Sequence, residues 1–129
     1  MRRTGAPLTG LVALALLTGC AAASQVDVRA VAVAFEDPGG DPQERCDLLV
    51  PATREALESE GPGSCAEVIG DLPLTGGEVT SIEVWGSDGQ VRIGDDVVFL
   101  TETAEGWRVT AAACEPRGDR PYDCEVEGS

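Results

Sequence analysis

The chain reads as an α+β fold, with N-terminal helices packed on a curved antiparallel sheet of four to five strands. Apolar residues recur at helical spacing up to about residue 69 and at period two after residue 78. The glycine-bearing stretch Leu74-Thr75-Gly76-Gly77 separates the two patterns. With 129 residues, 43% hydrophobic and 25% charged, the chain suits a single domain with one modest core and argues against wholesale disorder.

The first helix is expected over residues 26–36, where Val28, Val31 and Phe35 fall at i, i+3 and i+7. Val31, Val33 and Phe35 also alternate, which leaves a strand open, although the Ala content favours helix. Asp37-Pro38-Gly39-Gly40 ends the segment as a turn. Asp41 then caps a second helix with Pro42 at its first position, and Cys46, Leu49 and Val50 face inward. Pro51 interrupts it, and residues 52–60 resume as a helix bearing Ala56 and Leu57. Gly61-Pro62-Gly63 stops that helix, and Ser64 caps a last short turn through Ile69.

Four strands follow, over residues 78–85, 90–93, 97–103 and 107–114. Their turns are expected at Ser87-Asp88-Gly89, Asp95-Asp96 and Glu105-Gly106. A short fifth strand, residues 122–127, would be clamped by Cys124.

The first nineteen residues have another character. Arg2 and Arg3 precede an apolar stretch, Leu8 to Leu17, broken only by Thr9 and Gly10. That run is too short for a bilayer-spanning helix, which needs ~20 residues. Leu17-Thr18-Gly19-Cys20 resembles the lipobox of bacterial lipoproteins, in which an aliphatic residue and two small ones precede the modified Cys. The resemblance implies a signal peptide of residues 1–19, a diacylglyceryl group on Cys20, a tether of residues 20–25 and one extracytoplasmic domain over residues 26–129. It also implies anchoring to the cell membrane, because two acyl chains, such as palmitate, give stable residence where one does not.

Of five Cys, Cys20 is then set aside, and Cys46, Cys65, Cys114 and Cys124 remain. An even number outside the cytoplasm points to two disulfides, with three possible connectivities. The sequence-local pairing, Cys46–Cys65 and Cys114–Cys124, is favoured because each pair brackets a local unit. Zinc would want CxxC spacing, usually with His, and the chain has neither.

Nine Arg and no Lys face 23 acidic residues, a formal net charge of −14. Such a surface repels phosphate backbones, which excludes nucleic acid as a partner. It also repels anionic headgroups, so membrane attachment needs the covalent anchor.

Val97-Val98-Phe99-Leu100 followed by Gly106-Trp107-Arg108-Val109, behind several helices, resembles the NTF2-like (cystatin-like α+β, SnoaL-related) families. The closest likeness is to actinobacterial lipoproteins carrying that domain, over roughly residues 26–114. The resemblance implies a cone whose open end hosts a ligand or a His/Asp dyad, and this chain departs from it in having no His.

Candidate chemistry is therefore thin. Without His or a free thiol in the mature domain, acid–base work would fall to a buried carboxylate such as Asp27 or Glu83, or to Tyr122, and nothing marks any of them. Asp88, Asp95 and Asp96 could gather calcium but lack EF-hand spacing, and they read as turn-formers. Trp85 and Trp107 read as core or cavity lining. Arg117, Arg120 and Tyr122, between Cys114 and Cys124, form a candidate partner-binding loop for a carboxylate, with Asp119 and Asp123 able to neutralise the two Arg.

The expectation is a membrane-anchored, non-catalytic binding or accessory protein with no cofactor, whose partner is an envelope protein or a small ligand. The alternative is a small-molecule pocket protein with weak SnoaL-type activity. A deep pocket lined by polar groups would favour the alternative, and a filled cone with an exposed patch the first reading.

Overall fold

A computed structural model describes residues 2–5 and 18–128. The apolar run Leu8–Leu17, and with it the first lipobox position, lies outside the described residues. Four helices, α1 (Thr18–Glu36), α2 (Pro42–Asp47), α3 (Pro51–Glu60) and α4 (Cys65–Gly70), precede five strands. These are β1 (Val79–Trp85), β2 (Asp88–Ile93), β3 (Asp96–Thr103), β4 (Gly106–Arg117) and β5 (Arg120–Glu127).

Helix α1 settles the helix-or-strand ambiguity, and it begins eight residues earlier than expected. Residues 20–25, read as a tether, are helical. Their Ala-rich composition favours helix. The first fully buried residue of α1 is Val28, followed by Ala32 and Phe35 on the same stripe.

The short helices start where their caps dictate. The Asp41 carboxylate accepts the N–H groups of Gln43 and Glu44 at 2.9 and 3.0 Å, and Pro42 fills a position that needs no donor. Pro51 opens α3 for the same reason and does not merely interrupt α2. Ser64 and Glu67 close a reciprocal capping box on α4, with Glu67 accepting the Ser64 N–H at 2.7 Å. The Cys46–Cys65 disulfide ties α2 to α4, and both sulfurs are fully buried.

The sheet is a plain meander, β1-β2-β3-β4-β5, antiparallel throughout. Its turns lie one or two residues before the expected places. Trp85 pairs with Asp88 across Gly86-Ser87, and Ile93 pairs with Asp96 across Gly94-Asp95. Gly86 and Gly94 have φ of +56° and +55°, as a two-residue turn with a left-handed first position requires. Asp88 and Asp96 therefore begin strands and do not form turns.

The core lies between α1 and the sheet. Val28 and Phe35 meet Val91, Ile93, Val98, Leu100, Trp107 and Val109, while Leu49, Leu57 and Ile69 close it from the short helices. A Cβ on Gly89 would meet Val28 at 3.2 Å, so glycine lets α1 cross close over β2. Residues 48–50 reach the edge of β4 and pair with it in parallel, Val50 N–H to Val109 O at 3.0 Å and Val109 N–H to Leu48 O at 2.7 Å.

Trp107 is buried as expected, but Trp85 is 55% exposed. Trp85 ends the edge strand and lies on the face opposite Val84, so no helix covers it.

Candidate functional site

The strands alternate, so Val97 and Phe99 point away from the helices while Val98 and Leu100 point toward them. Register carries this outer face across the sheet: Gln90, Phe99, Ala111 and Glu127 form one row, and Arg92 opposes Val97 in the next. Val97 and Ala111 are buried although they lie on the uncovered face. Tyr122, Phe99 and the Cys114–Cys124 disulfide pack over them as a small second core.

Tyr122 makes that second core possible. Its ring meets Phe99 edge-on at 5.3 Å between centroids, and its hydroxyl accepts a hydrogen bond from Arg92 Nη2 at 3.0 Å. β5 and β2 are three strand spacings apart, about 14 Å, so the two long side chains meet as a bridge over the intervening strands.

Beside this bridge lies a groove of about 530 Å³. Phe99 and Ala111 form its floor, Pro121 and Tyr122 one wall, and Val50 and Ala52 at the start of α3 the other. Glu127 and Gly128 line it as well. The Thr53 hydroxyl donates to Thr110 O at 2.8 Å, which joins the α3 wall to the floor.

A second hollow, of about 310 Å³, is acidic, with Asp95, Asp96, Glu115, Asp123 and Glu125 around it. Among the described residues no cluster of three or more His, Cys, Asp or Glu side chains is arranged to hold a metal ion. Asp96 is instead consumed by the backbone. Its Oδ1 accepts the N–H groups of Val97 and Cys114, and its Oδ2 that of Ala113.

The perturbed carboxyl is not one that sequence reasoning proposed. Asp27 and Glu83 are both exposed. Glu36, the last residue of α1, is buried, and its pKa is pushed up to about 9 by loss of water and then by the neighbouring Asp96 carboxylate. The Gly76 N–H at 3.4 Å and the Arg45 charge oppose that shift without cancelling it. Arg45 is buried too, so desolvation lowers its pKa while Glu36 and Asp37 raise it. Its Nε donates to Phe35 O at 2.8 Å and its guanidinium lies over the Phe35 ring. Glu36 follows the buried stripe of α1 by one residue, a cue to its position that composition alone hides.

Of the loop residues singled out from sequence, Arg117 and Arg120 are backbone register partners across the Gly118-Asp119 turn at the hairpin tip. Tyr122 leaves them and joins the groove. Arg92, which sequence reasoning passed over, is the cation that donates to the Tyr122 hydroxyl. Cys20 is an exposed free thiol in the first turns of α1.

Comparison with protein-family models, curated proteins and solved structures finds no match to the chain.

Proposed function

We propose that this chain is a non-catalytic binding or accessory lipoprotein of the NTF2-like kind, tethered through diacylglyceryl-Cys20 to the extracytoplasmic face of the cell membrane, with the groove beside Tyr122 as its binding site. One observation carries the binding half. The space between α1 and the sheet is filled by Phe35, Leu49, Trp107 and their neighbours, while an apolar groove opens on the other face. A family member that used its cone for chemistry would keep that space open. Glu36, whose buried carboxyl is held protonated near neutral pH, lines neither hollow. Helices packed against an antiparallel five-stranded meander support the NTF2-like assignment. The tether rests on Leu17-Thr18-Gly19-Cys20 behind Arg2, Arg3 and the apolar run, and on the exposure of the Cys20 thiol. Arg117 and Arg120 at the hairpin tip offer a second contact for a carboxylate-bearing partner.

The experiment is metabolic labelling with radioactive palmitate. Wild type should take up label and shorten to begin at Cys20, whereas Cys20→Ser should stay unlabelled at precursor mass. A labelled Ser variant of mature mass would sink the tether.

A further inference from the structure

We infer that the groove takes a free, water-borne amine with an apolar body, its ammonium at Glu127 and its body along Ala111 and Phe99. This rests on the groove being the binding site and names the class of ligand it takes. Ligand sites are concave, mostly apolar and about 300–1,000 Å³ in volume, a range that includes the 530 Å³ of this groove.

The floor sets the body. Glu127 is the register partner of Ala111, and Ala111 of Phe99, so the three stand in one row on the same face of the sheet. From β5 to β3 that row covers two strand spacings, about 10 Å. The hydroxyls beside it are already engaged, Thr53 with Thr110 O and Tyr122 with Arg92. A peptide laid along this floor would bury N–H and C=O groups against Phe99, Ala111 and Pro121, which offer few partners in return. A hydrocarbon body has no such groups to satisfy.

Charge sets the head. Glu127 is the one charged residue of the lining, and among the described residues its carboxylate has no ion pair. Arg54, which follows the lining residue Thr53 on α3, is taken by Asp47 and Glu58. Arg92 lies outside the lining and is held by Tyr122. Cys124 lines the acidic hollow as well as the groove, which brings Asp95, Glu115, Asp123 and Glu125 up to the same wall. On a chain of net charge −14 the field there attracts a cation and repels an anion. The same field selects the source, because a phospholipid would bring its phosphate up to Glu127 and a free amine brings none.

The test is isothermal titration of the purified protein at pH 7 with dodecylamine, dodecanol and dodecanoate, each below its micelle concentration. Dodecylamine should bind at a single site, about fivefold tighter than dodecanol, as a well-formed exposed ion pair allows, with dodecanoate the weakest. Glu127→Gln should remove the preference for the amine. Glu83→Gln, which takes the same charge from the β1 end of that row, should keep it. Ala52→Trp, an exposed position on the groove wall, should abolish binding of all three with the circular dichroism unchanged. Equal affinities for amine and alcohol, or a preference lost alike in both Glu variants, overturn the head-group inference while the groove stands as a binding site. Uptake of dioleoylphosphatidylethanolamine from vesicles that displaces dodecylamine overturns the free source. No binding by any probe, or undiminished binding to Ala52→Trp, overturns the groove itself, whereas palmitate labelling of Cys20 reads the tether separately.

Discussion

Asp96 holds Ala113 in a left-handed backbone conformation: its Oδ2 accepts the Ala113 N–H at 2.8 Å where φ is +53°. The paired register of β3 and β4 stops at Phe99–Ala111, and beyond that point the Asp96 carboxylate replaces the missing strand for Ala113 and Cys114. Asp96→Ala should therefore strip an ionic acceptor from three N–H groups and lower the unfolding free energy by about 2–4 kcal/mol. Ala113→Gly should hold stability or raise it by up to about 1 kcal/mol, since glycine meets no steric penalty at positive φ. Urea unfolding of both variants reads the two signs. A strongly destabilised Ala113→Gly would show that the methyl contact matters more than the backbone geometry.

The second expectation concerns pH. The Glu36 carboxyl ionises ordinarily at 4.5 in the unfolded chain and at about 9 in the folded one. Below 4.5 it is protonated in both states and costs nothing. As pH rises from there to about 9 only the unfolded chain gains by ionising, so this residue erodes stability by about 1.4 kcal/mol per pH unit at most. Glu36→Gln, neutral at every pH, should be more stable than wild type at pH 7 by on the order of 2–3 kcal/mol. Denaturant melts at pH 5, 7 and 8.5 should show the gap widening with pH. A constant gap would mean that Glu36 titrates normally.

The third expectation separates the two disulfides. Non-reducing peptide maps should pair Cys46 with Cys65 and Cys114 with Cys124. Each should contribute about 3 kcal/mol by constraining the unfolded chain. Replacing Cys46 and Cys65 by Ser should cost more than replacing the other pair, because it also places two hydroxyls in the closed core. Losing Cys114–Cys124 should cost less stability but loosen Tyr122, so binding in the groove should fall by more than the melting temperature suggests. Equal losses of stability from both pairs would count against this division.

Helices were legible wherever a local signal sets them, as at Asp41-Pro42 and at Ser64 three residues before Glu67. The strands were legible by alternation, but two of their turns begin earlier than expected because Gly86 and Gly94, at positive φ, open them. The disulfide pairing followed from proximity along the chain. The groove was not legible, since Phe99, Ala111 and Tyr122 lie on three strands and meet only after a register no local pattern encodes. The Glu36–Asp96 pair is hidden for the same reason, two carboxyls 60 positions apart that one fold makes neighbours.

The unbroken course of α1 through Cys20 bears on mechanics. Eight residues separate Cys20 from Val28, the first one gripped by the core. As helix they span about 12 Å, against about 26 Å for the same stretch as an extended leash. With acyl chains on Cys20, the domain would ride on a short spar, its height above the lipid and its tilt set by α1. Cargo or partner would have to arrive at a fixed address, and lengthening or breaking the spar would detune delivery without touching the groove.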